Sequence, residues 1–126
     1  MNTEVLEPAR LPFAFEDALN TGDVDAILAL FSPDATMRTP ANEVLTGSKE
    51  LRGEIARTVA AGAHLTNKAR FCLVGDDTAL IIVDWTLEAA ASGGTRATST
   101  GTTANVARRS AGGGWRFTVL NPLGTA

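Results

Sequence analysis

The stretch Ala18-Leu19-Asn20-Thr21-Gly22-Asp23-Val24-Asp25-Ala26-Ile27 decides how this chain begins to fold. Gly22 tolerates the left-handed backbone that closes a helix, and Asp23 carries a side-chain acceptor that opens the next. Upstream, Pro12 suits a first helical turn, and Phe15, Ala18 and Leu19 fall on one face. Downstream, Val24, Ile27, Leu28 and Phe31 recur at i, i+3, i+4 and i+7, the buried stripe of a short second helix. Ser32-Pro33-Asp34 is expected to stop it. Two short extended pieces follow, around Ala35–Arg38 and Val44–Thr46. Ser48 then caps a third helix, with Leu51, Ile55 and Val59 on its apolar face and Gly62 at its end.

Past Gly62 the period changes to two. Leu65, Ala69, Phe71 and Leu73 alternate with Thr66, Lys68, Arg70 and Cys72. Gly75-Asp76-Asp77 turns the chain into Thr78–Glu88, a strand rich in β-branched and apolar residues. Ala89–Gly94 reads as a small-residue loop. Arg96–Arg109 reads as one long Thr-rich strand, with Gly101 marking a bulge or bend. Gly112-Gly113-Gly114 then turns into a last strand, Trp115–Asn121. The class this predicts is α+β, with three N-terminal helices packed on a curved antiparallel sheet. Residues 1–12 are expected as a loose arm, 13–122 as the single domain and 123–126 as a tail.

Composition narrows the function. With 126 residues, 44% hydrophobic and 20% charged, the chain has room for one core and is too apolar for wholesale disorder. A net charge of -3, with only Arg108-Arg109 pairing positive charges, argues against nucleic acid as a partner. The longest strong apolar run is Ala79–Val83, far short of the ~20 residues that cross a bilayer, so no membrane partner is expected. One histidine and one cysteine leave no nitrogen-and-sulfur metal set, and neither metal nor cofactor is expected. The lone Cys72 fits a reducing compartment, and Met1–Arg10 lacks the basic-then-apolar order of a signal peptide. Both point to the cytoplasm.

The strand Thr78–Glu88 carries the sharpest chemical question. Ala79, Ile81, Val83, Trp85 and Leu87 form one face, and Leu80, Ile82, Asp84, Thr86 and Glu88 the other. The apolar face is expected to line the core or a pocket, with Trp85 either as its floor or as plain core. Asp84 is the candidate acid or base if buried; on the second face it is merely exposed. Thr98, Thr100, Thr102 and Thr103 offer hydroxyls to a pocket or simply favour a strand, and the small Thr100 and Ala104 on the Thr102 face leave space in front of Trp85. Asn121, near the end of the last strand, offers both a donor and an acceptor, or simply ends the strand before Pro122. Arg38 is placed to meet an anionic ligand or to stand in solvent. His64 has no nucleophile or carboxylate patterned beside it, Trp115 reads as core, and Gly112–Gly114 lacks the spacing of a phosphate loop.

The opening stretch, with Leu30-Phe31-Ser32-Pro33-Asp34-Ala35-Thr36, Gly47 before a helix and Gly113-Gly114-Trp115-Arg116-Phe117 before the last strand, resembles the nuclear transport factor 2-like superfamily. That superfamily includes ketosteroid isomerases, SnoaL-like polyketide cyclases and limonene epoxide hydrolases. The resemblance, over roughly residues 13 to 121, implies a cone: a bent sheet around three helices, an apolar pocket inside, and homodimers through the outer sheet face. It also places the isomerases' oxyanion-donating tyrosine at Phe15 and their proton-shuttling aspartate at Thr39. Phenylalanine has no hydroxyl and threonine is no base near neutral pH, so isomerase chemistry is not expected. Tyrosine is absent from the whole chain, which also removes a residue the epoxide hydrolases use.

Three functions follow from these residues. The first is a binding module holding a small apolar molecule among Phe15, Val83, Trp85, Leu87, Thr102 and Asn121. The second is an enzyme of isomerase, cyclase or hydrolase type using another set, such as Asp84 or Asn121. The third is a structural dimerisation domain.

Overall fold

A computed structural model describes residues 4–91 and 94–126. Helix α1 (Leu11–Thr21) ends at Gly22, whose φ of 76° is the left-handed cap the sequence asks for. Helix α2 (Val24–Leu28) opens at Asp23, whose carboxylate accepts from the Ala26 N–H at 3.0 Å. Strand β1 (Phe31–Arg38) and strand β2 (Val44–Thr46) lead into α3 (Ser48–Ala60), and β3 (His64–Gly75), β4 (Thr78–Ala90), β5 (Arg96–Thr102), β6 (Asn105–Arg109) and β7 (Trp115–Leu120) follow. The sheet runs β2-β1-β7-β6-β4-β3, with β5 also on β4. All pairs are antiparallel except β1 with β7. The helices pack on its concave face, where Leu19, Ile27, Leu51 and Ile55 meet Met37, Ile81, Trp85 and Phe117 in one core. Among the described residues no helix is long and apolar enough to cross a membrane.

Several local expectations are corrected. Phe31 is not the end of the α2 stripe; it starts β1, and Pro33 is tolerated because the β1–β7 register shifts between Phe31 and Thr36. Ser48 is the first residue of α3 rather than its cap, its hydroxyl donating to the Pro33 carbonyl at 3.3 Å. The described part of the arm is docked: Val5 bridges Trp115 and Leu11 is fully buried. Ala89 and Ala90 continue β4 opposite Ala97 and Arg96, while Ser92 and Gly93 of the expected loop lie outside the described residues.

Two corrections bear on the site. In β3 the register shifts at Arg70, between Ala69 opposite Val83 and Phe71 opposite Ile82. That extra residue turns Phe71 and Leu73 to the outer face, and brings Cys72 inward opposite Ile81. At Gly101 there is no bulge, because β5 pairs with β4 without a shift from Thr102 to Arg96. Gly101 instead faces the Trp85 ring, and a Cβ there would lie 2.7 Å from Trp85 Cζ2. The break between β5 and β6 comes at Thr103, whose hydroxyl accepts from the Val83 N–H at 3.0 Å and donates to the Ile81 carbonyl at 3.3 Å.

Candidate functional site

The concave face leaves a cavity of about 130 Å³ between the sheet, α1 and α3. Its walls are overwhelmingly apolar: Phe15 and Leu19 from α1, Ile55 from α3, Val83, Trp85 and Leu87 from β4, and Phe117 from β7. These residues arrive by simple periodicity. The i, i+4 spacing of Phe15 and Leu19 sets both on one helix face, and alternation along β4 turns Val83, Trp85 and Leu87 inward. Phe15 is fixed edge-on between Phe31 and Phe117, with ring centroids 6.1 and 6.2 Å away.

Four expected pocket residues, Phe15, Val83, Trp85 and Leu87, therefore do line the cavity. Trp85 is wall as well as core, only 7% exposed. Its indole N–H is already committed, donating to the Pro122 carbonyl at 2.7 Å. Thr102 does not line the cavity. Its unbroken register puts it opposite Asp84, so it shares the outer face and donates to Asp84 Oδ1 at 2.7 Å. Its neighbour Thr103 takes the inner position.

Asp84 lies outside the cone and does not reach the cavity. Arg70 Nε donates to its other oxygen at 2.9 Å, and both side chains are substantially exposed. The Thr102 hydrogen bond, followed by the Arg70 charge, holds the Asp84 pKa below the usual carboxylate value. A carboxylate so placed is a stable anion, not a poised base. Asn121 is not a wall residue either. Its Oδ1 accepts from Arg38 Nη1 at 3.3 Å, and its Nδ2 donates to the Gly124 carbonyl at 2.9 Å. Arg38, at the cavity's edge, is already engaged: it donates to Asn42 Oδ1 at 2.8 Å and to the Ala126 main-chain oxygen at 2.7 Å, besides Asn121. Thr39 is buried within the β1–β2 turn, where its hydroxyl accepts from the Glu43 N–H at 3.1 Å. Cys72 is half-buried, and burial raises its thiol pKa.

Polar residues that escape the sequence reading also line the cavity, Asn105, Glu54 and Asn67 among them. Asn105, only 3% exposed, lines the cavity from the first position of β6. Its Oδ1 accepts the Asn121 main-chain N–H at 2.7 Å, which fixes the amide orientation. Nδ2 then meets no acceptor among the described residues, yet it is not sealed from the cavity. A signal existed: Asn is disfavoured in strands, and this one shares a face with the fully buried Ala107. Glu54 is the one carboxylate among the described residues that borders the cavity, and it is ion-paired with Arg57.

The SnoaL-like domain family matches residues 14–119, so the chain belongs to the SnoaL-like family, within the nuclear transport factor 2-like superfamily. No curated protein matches it in sequence. Among solved structures, it is similar to a ketosteroid isomerase-like protein from Erwinia carotovora atroseptica, with a TM-score of 0.80 at 17% identity over 95% of each chain. A putative calcium/calmodulin-dependent protein kinase type II association domain from Thiobacillus denitrificans gives 0.78 at 23% identity, covering 97% of this chain and 99% of that one. A putative dehydratase of the NTF2-like family from Streptomyces avermitilis gives 0.74 at 20%, covering 87% and 88%. At these identities the likeness is one of fold.

Proposed function

We propose that this protein binds a small, mostly apolar, single-ring molecule inside the cone, and that one hydrogen-bond acceptor on that molecule is met by Asn105. The observation that carries this is the cavity itself: about 130 Å³, walled by aromatic and aliphatic side chains, with an amide N–H of the buried Asn105 that meets no acceptor among the described residues and is not sealed off. An engineered apolar cavity of roughly 150 Å³ is enough for benzene. A ligand that covers this donor favours an acceptor there, since a donor buried unmet costs about 1–3 kcal/mol.

Acetophenone and α-methylstyrene have the same shape and differ by carbonyl against methylene. Calorimetric titration is expected to find both bound, with the ketone tighter by about three- to tenfold, one net hydrogen bond's worth. Failure of either to bind at millimolar concentration overturns the reading. The enzyme alternative rests on Glu54. Binding unchanged in Glu54→Gln, with no turnover lost, is the outcome the binding reading expects.

The same reading includes a second copy of the chain as partner. Phe71, Leu73 and Leu80 are exposed side by side on the outer face, with Ile82 opposite Phe71. A contiguous apolar patch of this kind favours self-association. Sedimentation is expected to give a dimer at micromolar concentration, and a monomer there overturns this part alone.

A further inference from the structure

Besides Asn105, one other amide borders the cavity, and it is committed the opposite way. Asn67 lies on β3 directly opposite Trp85 and lines the same cavity. Its Nδ2 donates to the Pro12 carbonyl at 2.8 Å, and its main-chain N–H donates to Glu16 Oε1 at 2.7 Å. Flipping the amide would set Oδ1 against the Pro12 oxygen, so the orientation is fixed by repulsion as well as by the bond. Oδ1 meets no donor among the described residues. Asn105 is pinned by its oxygen and offers N–H; Asn67 is pinned by its nitrogen and offers oxygen.

The two amides flank β4 from opposite sides and four residues apart, Asn67 opposite Trp85 and Asn105 opposite Ile81. Four residues span about 13 Å along a strand, and two inter-strand spacings of about 4.8 Å across it set the two backbones about 16 Å apart. Two inward-reaching side chains and two hydrogen bonds of about 2.9 Å leave a gap that one substituted ring crosses. Between them lie Val83 and Trp85, with no polar atom that is not already used.

We infer that the ligand is polar at both ends and apolar between, carrying an acceptor for Asn105 and a hydroxyl or N–H donor for Asn67 Oδ1. This rests on the binding reading and narrows it to a neutral ring of the hydroxyaryl-ketone kind. A hydrocarbon ring leaves both amides unmet, and a carboxylate would set a charge against the Asn67 oxygen. The ring's donor end points toward α1, because Pro12 and Glu16, which hold Asn67, belong to that helix.

The test compares 4-hydroxyacetophenone with 4-methylacetophenone, a pair that differs only at the end facing Asn67. Calorimetry on the wild type is expected to show the phenol bound about three- to tenfold tighter. In Asn67→Leu that preference is expected to reverse, because the hydroxyl is then buried without a partner. Asn67→Asp keeps an acceptor and loses the bond to Pro12, so it is expected to retain the preference. If both probes bind the wild type equally, this inference falls while the cavity reading stands. If neither binds, the cavity reading falls with it. A preference lost in the Asp variant as fully as in the Leu variant makes Asn67 only an anchor for α1 and overturns the donor assignment.

Discussion

The two faces of β4 are made from alternating residues of one strand, yet they do opposite work. On the inner face Ala79, Ile81, Val83 and Trp85 are all buried, and the last two wall the cavity. On the outer face Leu80 is exposed, Ile82 is half-buried, and Asp84 is tied to Arg70 and Thr102 in solvent. The difference is one of partners rather than composition. Inner residues meet three helices and a second layer of side chains, whereas outer residues meet only their neighbours in the sheet. A carboxylate in the middle of an apolar strand is therefore no evidence of a buried acid when its position has the outward parity. Gly101 on β5 lets the inner face extend sideways by leaving space for the Trp85 ring.

The largest expected effect is on the inner face. Trp85→Ala removes a buried indole from the core and its hydrogen bond to Pro122. Unfolding in denaturant is expected to show a loss of about 3–5 kcal/mol, the usual range for buried aromatic-to-alanine changes. Probe affinity is expected to drop at least about tenfold, a central anchor's share. The tryptophan fluorescence change on binding, read in a Trp115→Phe background, is expected to vanish with it. Next comes Gly101→Ala, which sets a methyl 2.7–2.9 Å from three atoms of the indole. The ring must shift into the cavity and off Pro122, at a cost of about 1–3 kcal/mol for overpacking. Here acetophenone binding is expected to weaken while the dimer is untouched. An unchanged affinity would mean that the Trp85 ring position does not set the cavity's width.

Ile82→Lys turns the comparison round. A charge placed in the Phe71–Leu73–Leu80 patch is expected to abolish self-association, with probe affinity held within about twofold because the two faces share no partners. If sedimentation is unchanged and the probe no longer binds, the two faces are assigned the wrong way round.

Much of this frame is legible in the sequence because its signals are local. Gly22 and Asp23 mark a helix end and a helix start through their own backbone and side-chain chemistry, and the β4 alternation needs only the period of a strand. What escapes depends on partners far along the chain. Phe31 fits the α2 stripe equally well by spacing, and only pairing with β7 makes it a strand residue. Thr102 looks inward until its register opposite Asp84 is known, and the shift at Arg70 that sends Phe71 outward exists only relative to β4. Asn105 and Asn67 carry only the weak signal of an Asn within a strand. They become candidates when the surrounding bonds show which half of each amide remains unspent.

The smallest effect tests the outer face on its own terms. Asp84 accepts from Thr102 and from Arg70, and both lower its pKa in the folded protein. A folded pKa below the unfolded one means that the carboxylate contributes stability above the unfolded value of about 3.9, and loses it as pH falls through the folded value. Asp84→Asn is therefore expected to lower the melting temperature slightly at neutral pH, with the gap to wild type constant down to about pH 5 and closing below it. The gap stays small because both side chains of the ion pair stand in solvent, where water and salt screen them. Raising the salt concentration is expected to narrow it further. Probe affinity should be unmoved, since nothing in the cavity touches this group. A binding loss in Asp84→Asn beside tolerance of Trp85→Ala would make Asp84 the working residue and the cone's interior its support.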